Sequence, residues 1–212
     1  MAPGDLVLVD AGAECRQYTA DISRTAPASG RFVGAQRDAY EAVRAAQGAA
    51  LGAMRPGALW ADADRAARLA LLEGLRAMGL LAAGGSDAGL EAALAARVDR
   101  VFCPHGLSHF LGLDVHDVSD EGPTPTVLRA GHVVTVEPGF YMIDLLLDRA
   151  SGDAAQRGLI NWDAVNKLRG AAIGGVRIED NVYVHAGGAV NLTSPFLPKA
   201  PAEVEAAMAG GR

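Results

Sequence analysis

The chain has 212 residues, 50% of them apolar and only 5% aromatic, and it carries a formal net charge of −6 at pH 7. This length can bury a core without disulfides, no apolar run is long enough to span a bilayer, and the two cysteines, Cys15 and Cys103, define no disulfide framework. We expect such an acidic chain without a secretory signal to act in the cytoplasm, with neither nucleic acid nor a membrane as its partner.

The spacing of apolar residues predicts strands, then helices, then strands again. In chain order the predictions are a strand at residues 6–9, helices at 36–54, 62–80 and 90–98, a strand at 132–141, a helix at 162–168, a strand at 175–185 and a closing helix at 198–208. This order favours one mixed α+β domain over residues 1–212 rather than an alternating parallel sheet. Because strand-like residues follow Met1 so closely, we expect the domain to be N-terminally truncated.

Two short segments share one pattern: an apolar strand, a carboxylate, one small or rigid residue and a glycine. They are residues 7–12 (VLVDAG) and 134–139 (VTVEPG), and each is followed later in the chain by a second acid, Asp21 or Glu179. A six-residue echo can arise by chance. If it is real, it places four carboxylates in pairs around a pseudo-twofold axis.

The acids in these segments have apolar neighbours. Asp10 follows Val9, and Glu137 follows Val136. A carboxylate in such surroundings is costly unless it is paired, hydrogen-bonded or bound to a cation. Any one of them could end a strand and point into water, but four of them together indicate a site.

Three histidines lie between the two acidic pairs, in residues 104–117 (PHGLSHFLGLDVHD). A helical zinc-protease motif is excluded because Gly106 takes the place of the glutamate in H-E-x-x-H. A serine-nucleophile elbow is excluded because Phe110 stands where G-x-S-x-G needs its second glycine. The glycines admit close backbone approach, so the histidine cluster favours a binding or catalytic site.

In this order along the chain, the acids and one histidine resemble the five-ligand set of the pita-bread metallopeptidases. The five residues are Asp10, Asp21, His109, Glu137 and Glu179. Further matching stretches, at residues 18–25, 55–57, 105–117, 135–139 and 174–180, extend the resemblance along nearly the whole chain to the prolidases, or Xaa-Pro dipeptidases. The resemblance implies a pita-bread fold: a curved, mostly antiparallel sheet with pseudo-twofold halves covered by helices.

The resemblance also implies a site for two divalent metal ions. Asp10 would bind one ion, His109 and Glu137 the other, and Asp21 and Glu179 would bridge both. Four carboxylates and one imidazole form an oxygen-rich donor set, which suits Mn²⁺ best, with Co²⁺ or Zn²⁺ able to substitute.

By the same resemblance, a metal-bridging hydroxide attacks an Xaa-Pro bond in a short proline-containing peptide, most simply a dipeptide. Glu137 would shuttle the proton to the leaving amine, and His116 would donate a hydrogen bond to the developing oxyanion and so also contact substrate. His105 would line the pocket for proline, and Arg177 would position or neutralise the bridging carboxylates.

Two alternatives stay open. Ser108 stands where dipeptidases usually have glycine and is more typical of Xaa-Pro aminopeptidases, which act on longer peptides, whereas the long stretch from Glu137 to Glu179 is prolidase-like. A non-catalytic binding module with the same fold is the second alternative, although such relatives typically lose metal ligands. The resemblance to prolidases also implies a homodimer.

Overall fold

The computed structural model describes residues 1–82, 87–118, 122, 126–171 and 173–210. The strands are β1 Leu6–Ala11, β2 Glu14–Cys15, β3 Tyr18–Thr19, β4 Ile22–Pro27, β5 Val133–Val136, β6 Gly139–Tyr141, β7 Gly175–Arg177, β8 Asp180–His185 and β9 Gly188–Asn191. The helices are α1 Ala35–Ala53, α2 Trp60–Ala77, α3 Asp87–Ala95, α4 Val98–Phe102, α5 Asp144–Gly152, α6 Ala154–Arg157, α7 Trp162–Gly170 and α8 Pro201–Gly210. The strand pairs are antiparallel, which confirms a mixed α and β fold with antiparallel sheets.

Hydrogen bonds between β4 and β7 join the β1–β4 pair to the β6–β7 pair. In the β1–β4 pair Asp10 lies opposite Ser23, and β8 lies between β5 and β9. The Thr25 hydroxyl donates to the Arg177 carbonyl at 3.0 Å and accepts from its N–H at 3.1 Å. The Glu179 N–H donates to the Ser23 carbonyl at 3.0 Å. The chain segments that carry the N-terminal and C-terminal acids therefore lie side by side.

The two long strands predicted at residues 132–141 and 175–185 are each broken in the middle, so those predictions were wrong in their continuity. β5 ends at Val136 and β6 begins at Gly139, while β7 ends at Arg177 and β8 begins at Asp180. Pro138 has no N–H to continue a ladder, and its carbonyl instead accepts from the Ile178 N–H at 3.4 Å. The breaks lie opposite each other, and each releases one acid from the regular ladder.

The long helices lie close to their predicted positions, but the shorter ones differ. The structure has α5 and α6 where no element was predicted. A short apolar face explains α5, since Leu147 and Ala150 are buried one turn apart. The side chain of Asp153 accepts hydrogen bonds from the Ala155 and Gln156 N–H groups and so caps α6.

One buried amide connects the core helix to both strand breaks. Gln47 of α1 is only 1% exposed, and its Nε2 donates to the Val136 carbonyl at 3.2 Å and to the Ile178 carbonyl at 3.3 Å. A buried carbonyl without a partner would cost free energy. Gln47 therefore supplies a hydrogen-bond donor to one backbone carbonyl at each strand break.

Within the described residues, none of the helices combines the length and apolar character that crossing a bilayer requires.

We expect Gly74→Ala to destabilise the fold, because α1 and α2 touch at this glycine. A β-carbon on Gly74 would lie 2.3 Å from Cβ of Ala42, so the helices would have to move apart. The expected loss in the free energy of unfolding is about 1–3 kcal/mol, measured by urea denaturation.

The matched control for this prediction is Gly48→Ala on the exposed side of α1, where an added β-carbon meets nothing within 4 Å. Alanine favours the helical conformation more than glycine does, so this variant should be more stable than wild type by roughly 0.5–1 kcal/mol. A Gly74→Ala variant as stable as the Gly48→Ala variant would contradict the close helix contact.

Candidate metal centre

The structure brings all five sequence-predicted metal ligands into one pocket. Asp10 lies in β1, Asp21 directly precedes β4, Glu137 follows β5, Glu179 precedes β8, and His109 lies in the loop before β5. The ligand atoms within each of two groups lie within 4.8 Å of one another. One group contains Asp10, Asp21 and Glu179, and the other contains His109, Glu137 and Glu179.

His109 lies among the acids. Its Nε2 is 3.4 Å from Oε1 of Glu137, 3.5 Å from Oδ2 of Asp21 and 3.9 Å from Oε1 of Glu179. Its Nδ1 is 3.0 Å from the Phe110 carbonyl, which can only accept a hydrogen bond. In the neutral ring the proton therefore sits on Nδ1, and Nε2 keeps a lone pair that faces the acids.

β5 fixes the positions of His109 and Glu137 through Thr135. The Thr135 hydroxyl accepts from the His109 N–H at 3.1 Å and donates to Oε1 of Glu137 at 3.2 Å. The Thr135 N–H donates to the His109 carbonyl at 3.0 Å. The two predicted ligands of one metal ion are thus held by a single residue of the sheet.

Burial and mutual repulsion raise the pKa values of Glu179, Glu137 and Asp21. Burial raises the pKa of Glu179 to about 8, and the charges of Glu137, Asp21 and Asp10 add to the shift. Burial also raises the pKa of Glu137 to about 7, against the opposing effects of Arg177 and Thr135. The pKa of Asp21 is raised by burial and by its contact with Asp10. The pocket therefore favours added positive charge, as protons or as cations.

Arg177 supplies one permanent positive charge at the edge of the acidic pocket. Its guanidinium donates hydrogen bonds to the Asp10 carboxylate, to the Ser23 hydroxyl at 2.8 Å and to the Tyr141 hydroxyl at 3.3 Å. Nε lies 3.7 Å from Oε2 of Glu179. Its direct hydrogen bond to a carboxylate is thus with Asp10, and it reaches Glu179 through Ser23.

The other two predicted histidines lie next to the ligands. His105 Nε2 is 2.8 Å from the Tyr141 hydroxyl, and its Nδ1 is 3.8 Å from Oε2 of Glu137. Burial lowers the pKa of His105, which favours its neutral form at neutral pH. His116 is exposed and packs edge-on against His109, with ring centroids 4.4 Å apart. One of its ring nitrogens also lies within 4.8 Å of a carboxylate oxygen of Asp21 and of a ring nitrogen of His109.

Sequence reasoning missed two residues of the site, Ser23 and Tyr141. Ser23 lies two residues after Asp21, and β-strand periodicity could have indicated that both side chains point the same way. Tyr141 fits only because two glycines leave room for its ring. A β-carbon on Gly139 would lie 2.5 Å from the ring, and one on Gly175 would lie 2.6 Å from it.

Comparison with characterised families and structures gives a consistent result. The sequence model of metallopeptidase family M24 matches residues 1–186. The Xaa-Pro dipeptidase of Homo sapiens is 43% identical over 98% of this chain, which spans 43% of that protein. A probable Xaa-Pro aminopeptidase of Tuber melanosporum is 38% identical over 89% of the chain, again covering 43% of the relative.

Solved structures agree. Pseudomonas aeruginosa aminopeptidase PepP matches with a TM-score of 0.76 and 36% identity, covering 97% of this chain and 41% of that one. A variant of Escherichia coli aminopeptidase P in complex with substrate matches with a TM-score of 0.78 and 34% identity, covering 100% of this chain and 43% of that one.

The chain thus spans less than half the length of these relatives, yet it matches them over nearly all of its own residues. The prediction of a prolidase-like pita-bread protein, made from motifs, is confirmed by the family match and by the dipeptidase relatives. By the match over residues 1–186, the chain belongs to metallopeptidase family M24.

Proposed function

We propose that this chain is the catalytic part of a dinuclear metal-dependent exopeptidase that hydrolyses Xaa-Pro bonds, with dipeptides as its substrates. The observation that carries the proposal is the convergence of four carboxylates and one histidine. Asp21, Glu137 and Glu179 lie near Nε2 of His109, and Asp10 lies within ligand-atom distances of 4.8 Å from Asp21 and Glu179. Four carboxylates have no reason to share a partly buried pocket unless cations compensate their charge. A binding module without catalytic activity would not need that arrangement.

The donor set fits two divalent cations of the hard or borderline kind, Mn²⁺ first and Co²⁺ or Zn²⁺ as substitutes. One solved relative is a zinc-substituted Escherichia coli aminopeptidase P in complex with product. In our assignment Asp10 would hold one ion, His109 and Glu137 would hold the other, and Asp21 and Glu179 would contribute to both. When bound, the ions supply Lewis acidity toward the scissile carbonyl and lower the pKa of water.

The chain's own residues would move the proton and orient the peptide. Glu137, which lies beside His109 in the pocket, would accept the proton of the attacking water and pass it to the proline nitrogen. His116, which is exposed beside His109, donates a hydrogen bond to the oxyanion. His105 contacts the proline side of the substrate, and Arg177 keeps Asp10 in place.

The dipeptide preference follows the relatives, since the dipeptidases are 42–43% identical and the aminopeptidases 34–38% identical to the chain. Ser108, the aminopeptidase-like residue, is only 5% exposed, so it has little surface with which to touch a peptide directly. We also propose that the protein acts in the cytoplasm as a homodimer, with short proline-containing peptides rather than nucleic acid or membranes as partners.

The substrate proposal is tested with two peptides. We expect Mn²⁺-loaded protein to hydrolyse Gly-Pro faster than Ala-Pro-Ala, with release of proline followed by chromatography. Protein stripped with a chelator is the control and should be inactive. Cleavage of the tripeptide alone would instead establish an Xaa-Pro aminopeptidase.

The ligand assignment is tested by metal analysis of purified variants. We expect about two ions per wild-type chain, and we expect Asp21→Ala and Glu179→Ala to lose bound metal, because each removes a bridging carboxylate. The control is His116→Ala, which should keep its metal and lose rate by roughly 100- to 1,000-fold. Turnover retained by Asp21→Ala would overturn the assignment.

Metal binding should depend on pH. Glu137 and Glu179, with pKa values of about 7 and 8 in the metal-free pocket, hold protons that a cation must displace. The affinity for Mn²⁺ should therefore rise by about tenfold per pH unit for each displaced proton until the pH exceeds both values. Calorimetric titration in buffers of different ionisation enthalpy measures the protons released.

The same pKa values set the sign of the pH effect on stability. Since both folded-state pKa values lie above the ordinary value of 4.5, the folded metal-free protein binds more protons than the unfolded chain. Its free energy of unfolding should fall as the pH rises from 4.5 toward 8. Thermal unfolding should show this fall in chelator-treated protein and a smaller one with Mn²⁺. A rise over that window would contradict the assignment.

A further inference from the structure

The Ser23 side chain lies directly between the guanidinium of Arg177 and the carboxylate of Glu179. It is 0% exposed and sits on β4. Its Oγ is 2.8 Å from Nε of Arg177 and 2.7 Å from Oε2 of Glu179. The charged groups themselves, Nε and Oε2, are 3.7 Å apart, which is too long for a hydrogen bond.

The directions of both hydrogen bonds follow from the chemistry of the partners. A guanidinium N–H can only donate, so the Ser23 oxygen must accept from Arg177. The one hydroxyl hydrogen is then left for Glu179, whose Oε2 accepts it. A contact between two full charges is thereby replaced by two hydrogen bonds through a neutral group.

This arrangement decides how Glu179 faces the pocket. One oxygen, Oε2, is held by a single hydrogen bond from Ser23, and the other, Oε1, lies 3.9 Å from Nε2 of His109. A carboxylate oxygen that accepts one hydrogen bond still has a lone pair for a cation. Direct pairing with arginine would be charge-assisted and often bidentate, and such a pair would compete with metal for both oxygens.

We propose that Ser23 is a positioning residue that keeps Arg177 off Glu179, so that both oxygens of this carboxylate remain available to metal. The inference rests on the proposed function, because it assigns Glu179 as a bridging ligand. It adds a residue that touches neither substrate nor metal and acts through Glu179.

The test is titration of the metal-free full chain with Mn²⁺ alone, followed by calorimetry. In Ser23→Ala, Nε of Arg177 loses its acceptor and can close on Glu179, so the affinity for Mn²⁺ should fall by about 10- to 100-fold. Ser23→Thr keeps the hydroxyl and should restore affinity to within about threefold of wild type. If Ser23→Ala does not fold, Ser23→Cys takes its place, because a thiol is a weak hydrogen-bond donor of similar size. Ser23→Cys should also bind Mn²⁺ more weakly than wild type.

Thr25→Val is the matched control. Thr25 is on the same strand face, is equally buried, and its hydroxyl bonds to the backbone of Arg177 rather than to a carboxylate. That variant should unfold at lower temperature yet bind Mn²⁺ within about threefold of wild type. An equal loss of Mn²⁺ affinity in Thr25→Val would overturn the inference. It would show that the loss of any buried hydroxyl on this strand weakens binding by disturbing the fold.

A double-mutant cycle gives the sharpest result. If Ser23 acts by holding Arg177 away, Ser23→Ala should change Mn²⁺ affinity by less than about twofold in an Arg177→Gln background. An undiminished effect there would overturn the inference, as would wild-type affinity in folded Ser23→Ala. Wild-type protein that binds no Mn²⁺ would overturn the proposed function itself, and the inference with it.

Discussion

Repulsion among four carboxylates is the constraint on which the rest of the structure depends. Glu179 is 1% exposed, and the charges of three other acids raise its pKa. Such a group destabilises the fold unless positive charge lies close to it. Arg177 supplies part of that charge at Asp10, and protons or cations must supply the remainder. The fold thus holds together side chains that would otherwise move apart.

The backbone behind the acids is fixed by groups that do not enter the pocket. The Arg24 guanidinium donates to the Glu179 carbonyl at 2.9 Å, to the Ser23 carbonyl at 3.0 Å and to the Asp180 carboxylate at 2.6 Å. Asp180 also accepts from Lys199 at 2.8 Å, which ties the segment before α8 to the sheet. Because Arg24 holds the main-chain carbonyls of Ser23 and Glu179, repulsion of the Glu179 side chain does not require its backbone to move.

The residues that the sequence predicts well are those whose role leaves a local pattern. Asp10 and Glu137 each follow an apolar run, and the histidines cluster among glycines, so these patterns indicate a site, and the resemblance to the pita-bread metallopeptidases supplied the five predicted ligands. Ser23 has no such local pattern, because a serine two residues after an acid is common. Its proposed role depends on Arg177, which lies far along the chain. The strand breaks at Pro138 and Ile178 were missed for a similar reason: each is stabilised by Gln47, a helix residue whose partners are visible only in three dimensions.

The two pairs of acids are assembled in physically different ways. Asp10 and Asp21 are joined by one local hairpin, in which a β-carbon on Gly12 would lie 1.8 Å from the Ala20 carbonyl oxygen. Glu137 and Glu179 meet only after α5, α6 and α7 have returned the chain to the sheet. One half of the site can therefore form early, whereas the other requires the complete fold. A cation held by both halves would bind only the folded chain, so its binding free energy would add to the stability of the fold that creates its site.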